Sequence, residues 1–330
     1  MIVARAPLRI PLAGGGTDLP FYAERRGGHV VSVAIDRYAY ATLVGRADTD
    51  EYLVSCDRVQ RAGSLDRISH PYVRAALRHL RIPGGLEVHC VAEVEGRSGL
   101  GISSSIMVAL LCALHALRQE PTDPAALARE ATMLEREVLD EAGGVQDQYM
   151  AAYGGLREIH NTTRSDVTAT SLELAPEVCK TLEANLLLFS TGVLRRSDEI
   201  VRSQLEQNSE SEILEHYDEI KQAGLAARDG LLCGDLRAFA RALHRHWTVK
   251  RQVSDRMSST LLDTLYERGL GHGALGGKVV GAGGGGCLLF YVEDGHDRFV
   301  TAMERLGLRH LEFRFAWKGA ESLWSAFGPP

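Results

Sequence analysis

Glycine is concentrated in three short segments of this chain, and this clustering limits the folds that the chain can adopt. The sequence has 34 glycines among 330 residues, and the three clusters lie within residues 14–16, 98–101 and 276–286. Glycine allows left-handed backbone conformations and lets other groups approach the chain closely. Because the clusters separate runs of apolar and β-branched residues, they predict three tight loops between strands and helices.

The spacing of apolar residues predicts strands and helices around these loops. Glycines and serines at 98–105 precede the apolar run 106–117, which is the pattern of a helix N-terminus. A second helix is predicted at 125–139, and the pattern from 198 to about 270 is helical. Strands are predicted at 1–12, 29–34, 38–44, 86–94, 186–191 and 287–292.

These elements predict a mixed α/β (α+β) protein. A length of 330 residues favours about two domains. We place the boundary between residues 1–185 and residues 186–330, so that the first two glycine loops fall in one domain and the third loop in the other.

Composition excludes several classes of function. Thirty-seven basic and 43 acidic residues give a net charge of -6, which provides no basic surface for nucleic acid. The six cysteines form no CxxC pair, so neither a zinc site nor a disulfide framework is expected, and a reducing cytoplasm fits. No run of eighteen apolar residues and no signal peptide is present, so we expect no membrane partner.

The loop at 98–105 has the composition of an anion-binding site, with glycines first, hydroxyls next and a helix after them. Main-chain amides at such a helix N-terminus bind phosphate oxygens. One such loop could equally be a turn or a site of tight packing. Two standard nucleotide signatures fail: the Walker pattern lacks its glycine and hydroxyl around Lys278, and the GxGxxG match at 281–286 leads into a strand instead of a helix.

All three loops resemble the motifs of the GHMP small-molecule kinases, in the same order and spacing. The segments APLRI (6–10) and AGGGTDL (13–19) resemble the first motif, SGLGISS (98–104) the second, and KVVGAGGGG (278–286) the third. The forms AGGGTDLP, GGVQDQY and GAGGGGCLLF are most similar to those of the D-glycero-D-manno-heptose 7-phosphate kinases. One position departs from the family: Arg97 stands where a glycine is usual, so it either crowds the loop or adds a phosphate contact.

The resemblance implies a two-domain fold with ATP and sugar in the cleft between the domains. It also implies transfer of the ATP γ-phosphate, with Mg²⁺, to the anomeric hydroxyl of a heptose 7-phosphate. The 1,7-bisphosphate formed would lead towards nucleotide-activated heptose, and a homodimer is compatible with the family. The alternatives are another sugar substrate (an octose 8-phosphate, fucose or a hexose) and a sensor that binds ATP and sugar without turnover.

The resemblance assigns catalytic roles to two residues. Asp147 in the GGVQDQY segment would orient the acceptor hydroxyl, although an aspartate between glycines is also typical of a turn or cap. Arg9 is a basic residue in an apolar strand and needs a partner. The family places it near the transferred phosphate and Asp147, while a purely structural ion pair is the alternative.

The remaining site residues are also implied by the resemblance. The ATP phosphates would be bound by Ser98, Gly99, Leu100, Gly101, Ile102, Ser103 and Ser104. Mg²⁺ would be bound by Ser103 or Ser104 together with Glu135, unless Glu135 is an exposed residue paired with Arg129 or Arg136. The substrate would contact Thr17, Asp18, Arg195 and Gly284, with Arg196, His246 and Lys250 as further candidates for its phosphate. As alternatives, Asp18 is a turn residue and the glycines at 283–286 allow close approach.

Overall fold

Two sheets organise the protein, whose computed structural model describes residues 1–194 and 197–325. The strands are β1 (Ile2–Ala13), β2 (Gly28–Gly45), β3 (Tyr52–Ser55), β4 (Val59–Ala62), β5 (Leu86–Ala92), β6 (Leu156–Asn161), β7 (Val167–Ser171), β8 (Leu186–Ser190), β9 (Gly276–Val279), β10 (Cys287–Tyr291), β11 (Arg309–His310) and β12 (Glu321–Ser325). The first sheet has the order β12-β1-β2-β5-β3-β4, and β6 joins β2 to β7. The second has the order β11-β8-β10-β9.

Helices pack around these sheets, and several begin at a recognisable signal. The helices are α1 (Pro20–Arg26), α2 (Pro71–His79), α3 (Ile102–Arg118), α4 (Pro124–Met133), α5 (Gln146–Tyr153), α6 (Pro176–Asn185), α7 (Ser197–Gln207), α8 (Glu210–Leu232), α9 (Leu236–Lys250), α10 (Thr260–Gly271) and α11 (His296–Arg305). Proline stands in the first turn of α1, α2, α4 and α6, where its missing N–H costs no hydrogen bond. In α8, Ser209 and Glu212 form a capping box.

Strands β1 and β2 form the longest pairing of the fold. The predicted strands at 29–34 and 38–44 are in fact one strand of 18 residues. The register between β1 and β2 shifts at Pro7 and Leu8, so that Asp36 and Arg37 have no partner on β1. The Asp36 amide donates instead to the Arg314 carbonyl. A β-bulge therefore accommodates two polar residues that break the apolar alternation without ending the strand.

Two predicted helices differ from the structure at their ends. α3 begins at Ile102, four residues before the apolar run, so the serines of the loop lie inside its first turn. The helix predicted at 125–139 consists of α4 and a π-helical turn at Leu134–Val138. Within the described ranges, no helix combines the length and the apolar character needed to cross a bilayer.

The two sheets share one hydrophobic core. Leu8 of β1, Phe239 of α9 and Leu289 of β10 belong to the same buried cluster. The predicted division at 185/186 coincides with the start of β8, but β12 returns to pair with β1. Residues 321–325 are thus part of the first sheet, although the prediction assigned them to the second half; the division itself stays a prediction.

Candidate active site

A cleft of about 590 Å³ opens between the first two glycine loops, the start of α5 and the helix α7. It is lined by side chains and backbone from the segments 9–19, 96–104, 135–147 and 198–204, together with Tyr72, Tyr217, Lys250, Gly281 and Ala282. The first two motifs quoted from the sequence therefore face one cavity, whereas only the start of 281–286 reaches it.

The loop at 98–101 leads directly into α3 and presents backbone amides to the cleft. Gly99 and Gly101 have positive φ angles of 85° and 78°, and Gly101 is the N-cap of α3. The first amides of a helix have no intrahelical acceptor, so this end of α3 is suited to bind an anion. The side chain of Leu100 is fully buried in the core, so this residue can contribute only backbone groups to a ligand.

Arg9 joins this loop to the predicted catalytic aspartate. Its Nε and Nη2 atoms donate to Oδ1 of Asp147 at 2.8 and 2.6 Å, and its Nη1 donates to the Gly99 carbonyl. The Arg9 amide also donates to the Leu100 carbonyl. The predicted pairing of Arg9 with Asp147 is confirmed. Since both donors use Oδ1, the Oδ2 atom of Asp147 accepts no hydrogen bond from the described residues.

Glu135 is the acidic member of a buried polar cluster beside the loop. Ser104 Oγ and Gln148 Nε2 donate to its Oε2 at 2.8 and 2.9 Å, and Glu135 is 1% exposed. Its Oε1 is buried without a hydrogen-bond partner among the residues described. Burial raises the pKa of Glu135 to about 7, against opposing contributions from Arg136 and Ser104. We refer to Glu135, Ser104 and Gln148 as the carboxylate end of the cleft.

The burial of Glu135 contradicts the alternative that it is an exposed helix residue, although the ion pair with Arg136 named in that alternative is present, at 3.6 Å. The serine that contacts it is Ser104, whereas Ser103 is exposed and lines the cleft. The assignment of Ser103 to a metal ion stays a prediction. Ser98 is buried and its hydroxyl has no hydrogen-bond partner within the described ranges, and Ile102 and Gly99 line the cleft.

Three basic side chains contact the backbone in and beside the first glycine turn. Lys250 Nζ donates to the carbonyls of Gly15 and Gly281 at 2.9 and 3.1 Å and lines the cleft. Lys278 Nζ is fully buried and donates to the Pro11 carbonyl at 2.9 Å. His246 is buried behind them, and its Nδ1 accepts from the Gly14 amide. We refer to Lys250, Lys278 and His246 as the lysine end.

Burial and mutual repulsion shift the pKa values at the lysine end. Desolvation lowers the pKa of Lys278 well below its usual value, and the charges of Lys250 and Arg9 lower it further. Desolvation likewise lowers the pKa of His246, with added repulsion from the two lysines. His246 is fully buried and does not line the cleft, so it is not placed to receive a substrate phosphate.

Asp18 accepts four hydrogen bonds within the protein. Its Oδ2 accepts from the amides of Val145 and Gln146 at 2.9 and 3.1 Å. Its Oδ1 accepts from the Gly16 amide and from Gln146 Nε2, both at 3.1 Å. Asp18 borders the cleft but is only 2% exposed. Contact with sugar hydroxyls stays a prediction, and these four hydrogen bonds favour a positioning role.

Two other predicted substrate residues lie behind the cleft wall. Thr17 is fully buried, and its hydroxyl lies 2.8 Å from the carbonyls of both Gly14 and His29. Gly284 packs against α7 and the chain near Met257, since a Cβ atom there would be 2.7 Å from Ile200 Cδ1. Neither residue lines the cleft. The Thr17 hydroxyl forms its hydrogen bonds in and beside the glycine turn, and side-chain and backbone packing covers Gly284.

The third glycine cluster allows close approach instead of lining the cleft. A Cβ atom at Gly286 would lie 2.3 Å from the Ser98 carbonyl, and one at Gly283 would lie 2.8 Å from Met257 Sδ. The glycines at 283–286 therefore let this segment pack closely against the start of the loop at 98–101 and against the chain at Met257, as the close-approach alternative predicted. Arg195 and Arg196 lie outside the described residues.

The structure adds cleft residues that the sequence analysis did not single out. Arg202 on α7 is exposed, lines the cleft and has no hydrogen bond or ion pair with any described residue. Tyr72 reaches the cleft from α2 and donates to Glu141. No sequence pattern around Arg202 or Tyr72 identifies either residue as part of a site. Gln148 did stand inside the GGVQDQY segment, one residue after Asp147.

Arg97 does not crowd the loop. It has a φ of 68°, in the left-handed region that favours glycine, and its side chain is exposed on the cleft wall. No described residue forms a hydrogen bond or an ion pair with it. The arginine thus adopts the backbone conformation of the glycine that is usual in this family.

A second group of metal-binding residue types lies outside the cleft. Ligand atoms of His29, Glu158 and His160 lie within 4.8 Å of one another on β2 and β6. Arg228 of α8 also donates to Oε1 of Glu158, at 3.0 Å. Because a guanidinium already neutralises the carboxylate, we interpret this group as an ion-pair network that anchors α8 on the sheet.

Comparison with known proteins agrees with these motifs. Residues 71–155 match the GHMP kinases N terminal domain and residues 223–306 match the GHMP kinases C terminal domain. The chain is 30% identical over 305 residues to the D-glycero-alpha-D-manno-heptose 7-phosphate kinase of Campylobacter jejuni, covering 88% of this chain and 89% of that protein.

Solved structures give the same result. A D-glycero-D-manno-heptose 1-phosphate kinase from Bacteroides thetaiotaomicron superposes with a TM-score of 0.82 at 25% identity, over 99% of this chain and 100% of that chain. Streptococcus pneumoniae phosphomevalonate kinase, in complex with phosphomevalonate and AMPPNP, shares the fold with a TM-score of 0.78 at 16% identity, over 96% of this chain and 100% of that chain. From these matches and the motifs, the chain belongs to the GHMP kinase family and is a kinase.

Proposed function

We propose that this kinase transfers the γ-phosphoryl group of ATP to the anomeric C1 hydroxyl of D-glycero-D-manno-heptose 7-phosphate and forms the 1,7-bisphosphate. The observation that carries the proposal is the position of Arg9, which links the Asp147 carboxylate to the phosphate loop. The relative from Campylobacter jejuni named as a heptose 7-phosphate kinase supports the choice of acceptor.

The reaction requires one protein group that accepts the proton of the acceptor hydroxyl and several groups that stabilise the phosphates. The C1 oxygen attacks the γ-phosphorus, the bond from that phosphorus to the ADP oxygen breaks, and the C1 hydroxyl proton passes to Asp147. The unpartnered Oδ2 of Asp147 is the atom available to accept this proton. Arg9 holds the carboxylate in place from Oδ1 and offsets the negative charge that develops on the transferred group.

The phosphates of ATP would be bound by the amides of residues 98–104. The family uses ATP as its phosphate donor, and a structural relative contains the ATP analogue AMPPNP. Phosphoryl transfer depends mainly on position and electrostatic stabilisation, which these amides would supply.

A magnesium ion fits the carboxylate end. The buried Oε1 of Glu135 lacks a hydrogen-bond partner among the described residues, and carboxylate and hydroxyl oxygens are ligands that Mg²⁺ prefers. Glu135 would hold the ion together with the hydroxyl of Ser103 or Ser104. When bound, the ion neutralises phosphate charge.

The acceptor phosphate would be bound by other basic groups of the cleft. Lys250 borders the cleft at the first glycine turn, and Arg202 borders it from α7. Arg195 retains its role as a sequence-based prediction, in which Arg195→Ala raises the KM for a sugar phosphate more than for its unphosphorylated analogue. These cations favour an anionic acceptor over a plain hexose.

The structural relative from Bacteroides thetaiotaomicron favours a second candidate. Its name gives a heptose 1-phosphate as the acceptor, so the phosphoryl group would then go to a different hydroxyl. Both candidates share the heptose and one existing phosphate, and they differ in the orientation of the sugar within the cleft.

Measurement of ADP release with a panel of acceptors tests the proposal. The panel contains D-glycero-D-manno-heptose 7-phosphate, the corresponding 1-phosphate, the free heptose, an octose 8-phosphate, fucose and galactose. We expect the highest kcat/KM with the 7-phosphate, and phosphorus NMR of the product should show a new anomeric phosphate. Turnover of hexoses without turnover of the 7-phosphate would contradict the proposal, and binding of ATP and sugar without ADP release would favour a sensor.

A further inference from the structure

We infer that Asp18 is a positioning residue that holds the helix of Asp147, instead of a ligand of the sugar. The inference concerns the phosphoryl transfer of the proposed function and rests on it. It depends on the contacts of one buried carboxylate, and it reverses the role that the family motif implies for this position.

Helix α5 has no N-terminal cap of its own. Its N-cap residue, Val145, has no side chain able to accept a hydrogen bond, and Asp147 is the second residue of the helix. Asp18 supplies the missing acceptor from 127 residues away, because its Oδ2 accepts from the amides of Val145 and Gln146. A carboxylate at this end of a helix also interacts favourably with the helix dipole.

The other oxygen of Asp18 connects α5 to the first glycine turn. Oδ1 accepts from the Gly16 amide and from the side chain of Gln146. A carboxylate offers about four acceptor positions, and four donors occupy them here. A sugar hydroxyl could bind Asp18 only by displacing a donor that supports either the glycine turn or α5.

The chain that precedes α5 also encloses this carboxylate. A Cβ atom at Gly144 would lie 1.9 Å from Oδ2 of Asp18, so only glycine fits where the backbone crosses it. The Arg136 side chain fixes the same segment, because its Nε donates to the Gly144 carbonyl at 3.0 Å. Asp147 is therefore held by two carboxylate contacts: its own, to Arg9, and that of Asp18 with the start of its helix.

Steady-state kinetics of Asp18→Asn test the inference. An amide at this position presents one acceptor and one donor group to four donors, so α5 loses hydrogen bonds and Asp147 moves. A displacement of about 1 Å in a reacting group costs on the order of a hundredfold in rate. We expect kcat to fall about 10²-fold while the KM for ATP and for the acceptor each change less than threefold.

Calorimetric titration of the acceptor gives a readout that is independent of the chemistry. The acceptor used is the panel sugar that the wild type phosphorylates fastest, with D-glycero-D-manno-heptose 7-phosphate titrated first. We expect its Kd for Asp18→Asn to stay within threefold of the wild type. A Kd raised more than twentyfold with kcat nearly unchanged would identify Asp18 as a sugar ligand and overturn the inference.

Gly144→Ala is the matched second variant. Its methyl group pushes on Asp18 Oδ2 without altering any polar group, so it should reproduce the loss in kcat with an unchanged acceptor Kd. The double variant should be no slower than the slower single variant, because both disturb one contact. Additive losses of kcat in the double variant, or a Gly144→Ala enzyme with wild-type kcat, would contradict the inference. If the Asp18→Asn variant does not fold, the kcat and acceptor Kd of Gly144→Ala test the inference without it.

The acceptor panel separates this result from the proposed function. If the wild type phosphorylates a different sugar, the proposed substrate is wrong, but the ratio of variant to wild-type kcat with that sugar still tests Asp18.

Discussion

The carboxylate end and the lysine end bury ionisable groups of opposite type, and Lys250 is the member of the lysine end that lines the cleft. At the first, burial raises the pKa of Glu135 to about 7, and at the second it lowers the pKa of Lys278 and of His246. Arg9 and Asp147 line the same cleft and form an ion pair, with Nη2 of Arg9 2.6 Å from Oδ1 of Asp147. Both ends disfavour their own charged forms, so an opposite charge placed beside either end would favour the charged form.

The difference teaches how one cleft can distinguish two phosphorylated molecules. A cation bound at the carboxylate end would bring ATP with it, whereas an anion bound at the lysine end would bring the acceptor. Under the proposed function, the Arg9–Asp147 pair would lie where the two molecules meet. Each prediction below removes one charge from this arrangement, in order of decreasing effect.

Asp147→Asn removes the central anion and should have the largest effect. We expect kcat to fall about 10³-fold, because an amide cannot accept the C1 proton. The Kd for ATP, measured by calorimetry, should stay within a few fold, since the role proposed for Asp147 is to orient the acceptor and not the nucleotide. A variant that keeps most of its turnover would show that Asp147 has no catalytic role.

Glu135→Gln neutralises the carboxylate end and should separate activity from stability. We expect about a 10²-fold loss of kcat and a higher Mg²⁺ requirement, because the ion loses an anionic ligand. A carboxyl whose folded pKa is raised from 4.5 to about 7 destabilises the fold increasingly as pH rises through that interval. Without divalent ions, the variant should therefore exceed the wild type in free energy of unfolding by about 1–3 kcal/mol above pH 7.

Urea denaturation in EDTA at pH 4 and at pH 8 measures this difference, which should vanish at the lower pH. Glu137→Gln is the matched control, since Glu137 is an exposed residue of the same π-helical turn. Its free energy of unfolding should stay within about 0.5 kcal/mol of the wild type at both pH values. Equal stability of the Glu135→Gln variant and the wild type at pH 8 would contradict a buried charge at this end.

Lys250→Met removes a cation from the lysine end. We expect the KM for a phosphorylated acceptor to rise about tenfold, and the KM for its unphosphorylated analogue to rise less than twofold. Lys318→Met is the control, because Lys318 is 83% exposed and lies outside the cleft. The effect should shrink at high salt. Equal changes in both KM values would show that Lys250 does not bind the acceptor phosphate.

Arg97 lies on the phosphate loop outside both ends, and its replacement should have the smallest effect. Arg97→Gly and Arg97→Ala both remove the charge, but only alanine keeps an L side chain in the left-handed region. We expect the same rise of about threefold in the KM for ATP from both variants. The glycine variant should be about 1 kcal/mol more stable in thermal denaturation than the alanine variant. Unchanged KM values would show that the guanidinium does not contact ATP.

The sequence predicted the parts of the site that depend on local patterns. The glycine-serine loop before an apolar run correctly predicted a loop that leads into a helix, α3, and the strand containing Arg9 was correctly located. The family motifs paired Arg9 with Asp147, which the structure confirms. In these cases the sequence pattern that identifies the feature lies within a few neighbouring residues, or in a family motif whose partner motif is known.

Contacts between distant segments could not be predicted. Asp18 and Val145 meet across 127 positions, and nothing in either segment identifies the other. The choice of Ser104 over Ser103 as the partner of Glu135 depends on the rotation of α3, which begins four residues earlier than the apolar run predicts. The bulge in β2 was missed for a related reason, because Arg314 satisfies the Asp36 amide that the local pattern leaves unpaired.

The return of β12 to the first sheet has a consequence for biosynthesis. Ribosomes make β1 early, but Arg5 meets its partner Glu321 only after a further 316 positions have been translated. Until then β1 has an open edge, which can template pairing with other nascent chains. Strand β1 also carries Arg9, so the last strand described closes the sheet that holds the Arg9–Asp147 ion pair. A chain whose synthesis stops before β12 would keep this edge of β1 exposed, and the protein quality control of the cell could then recognise it.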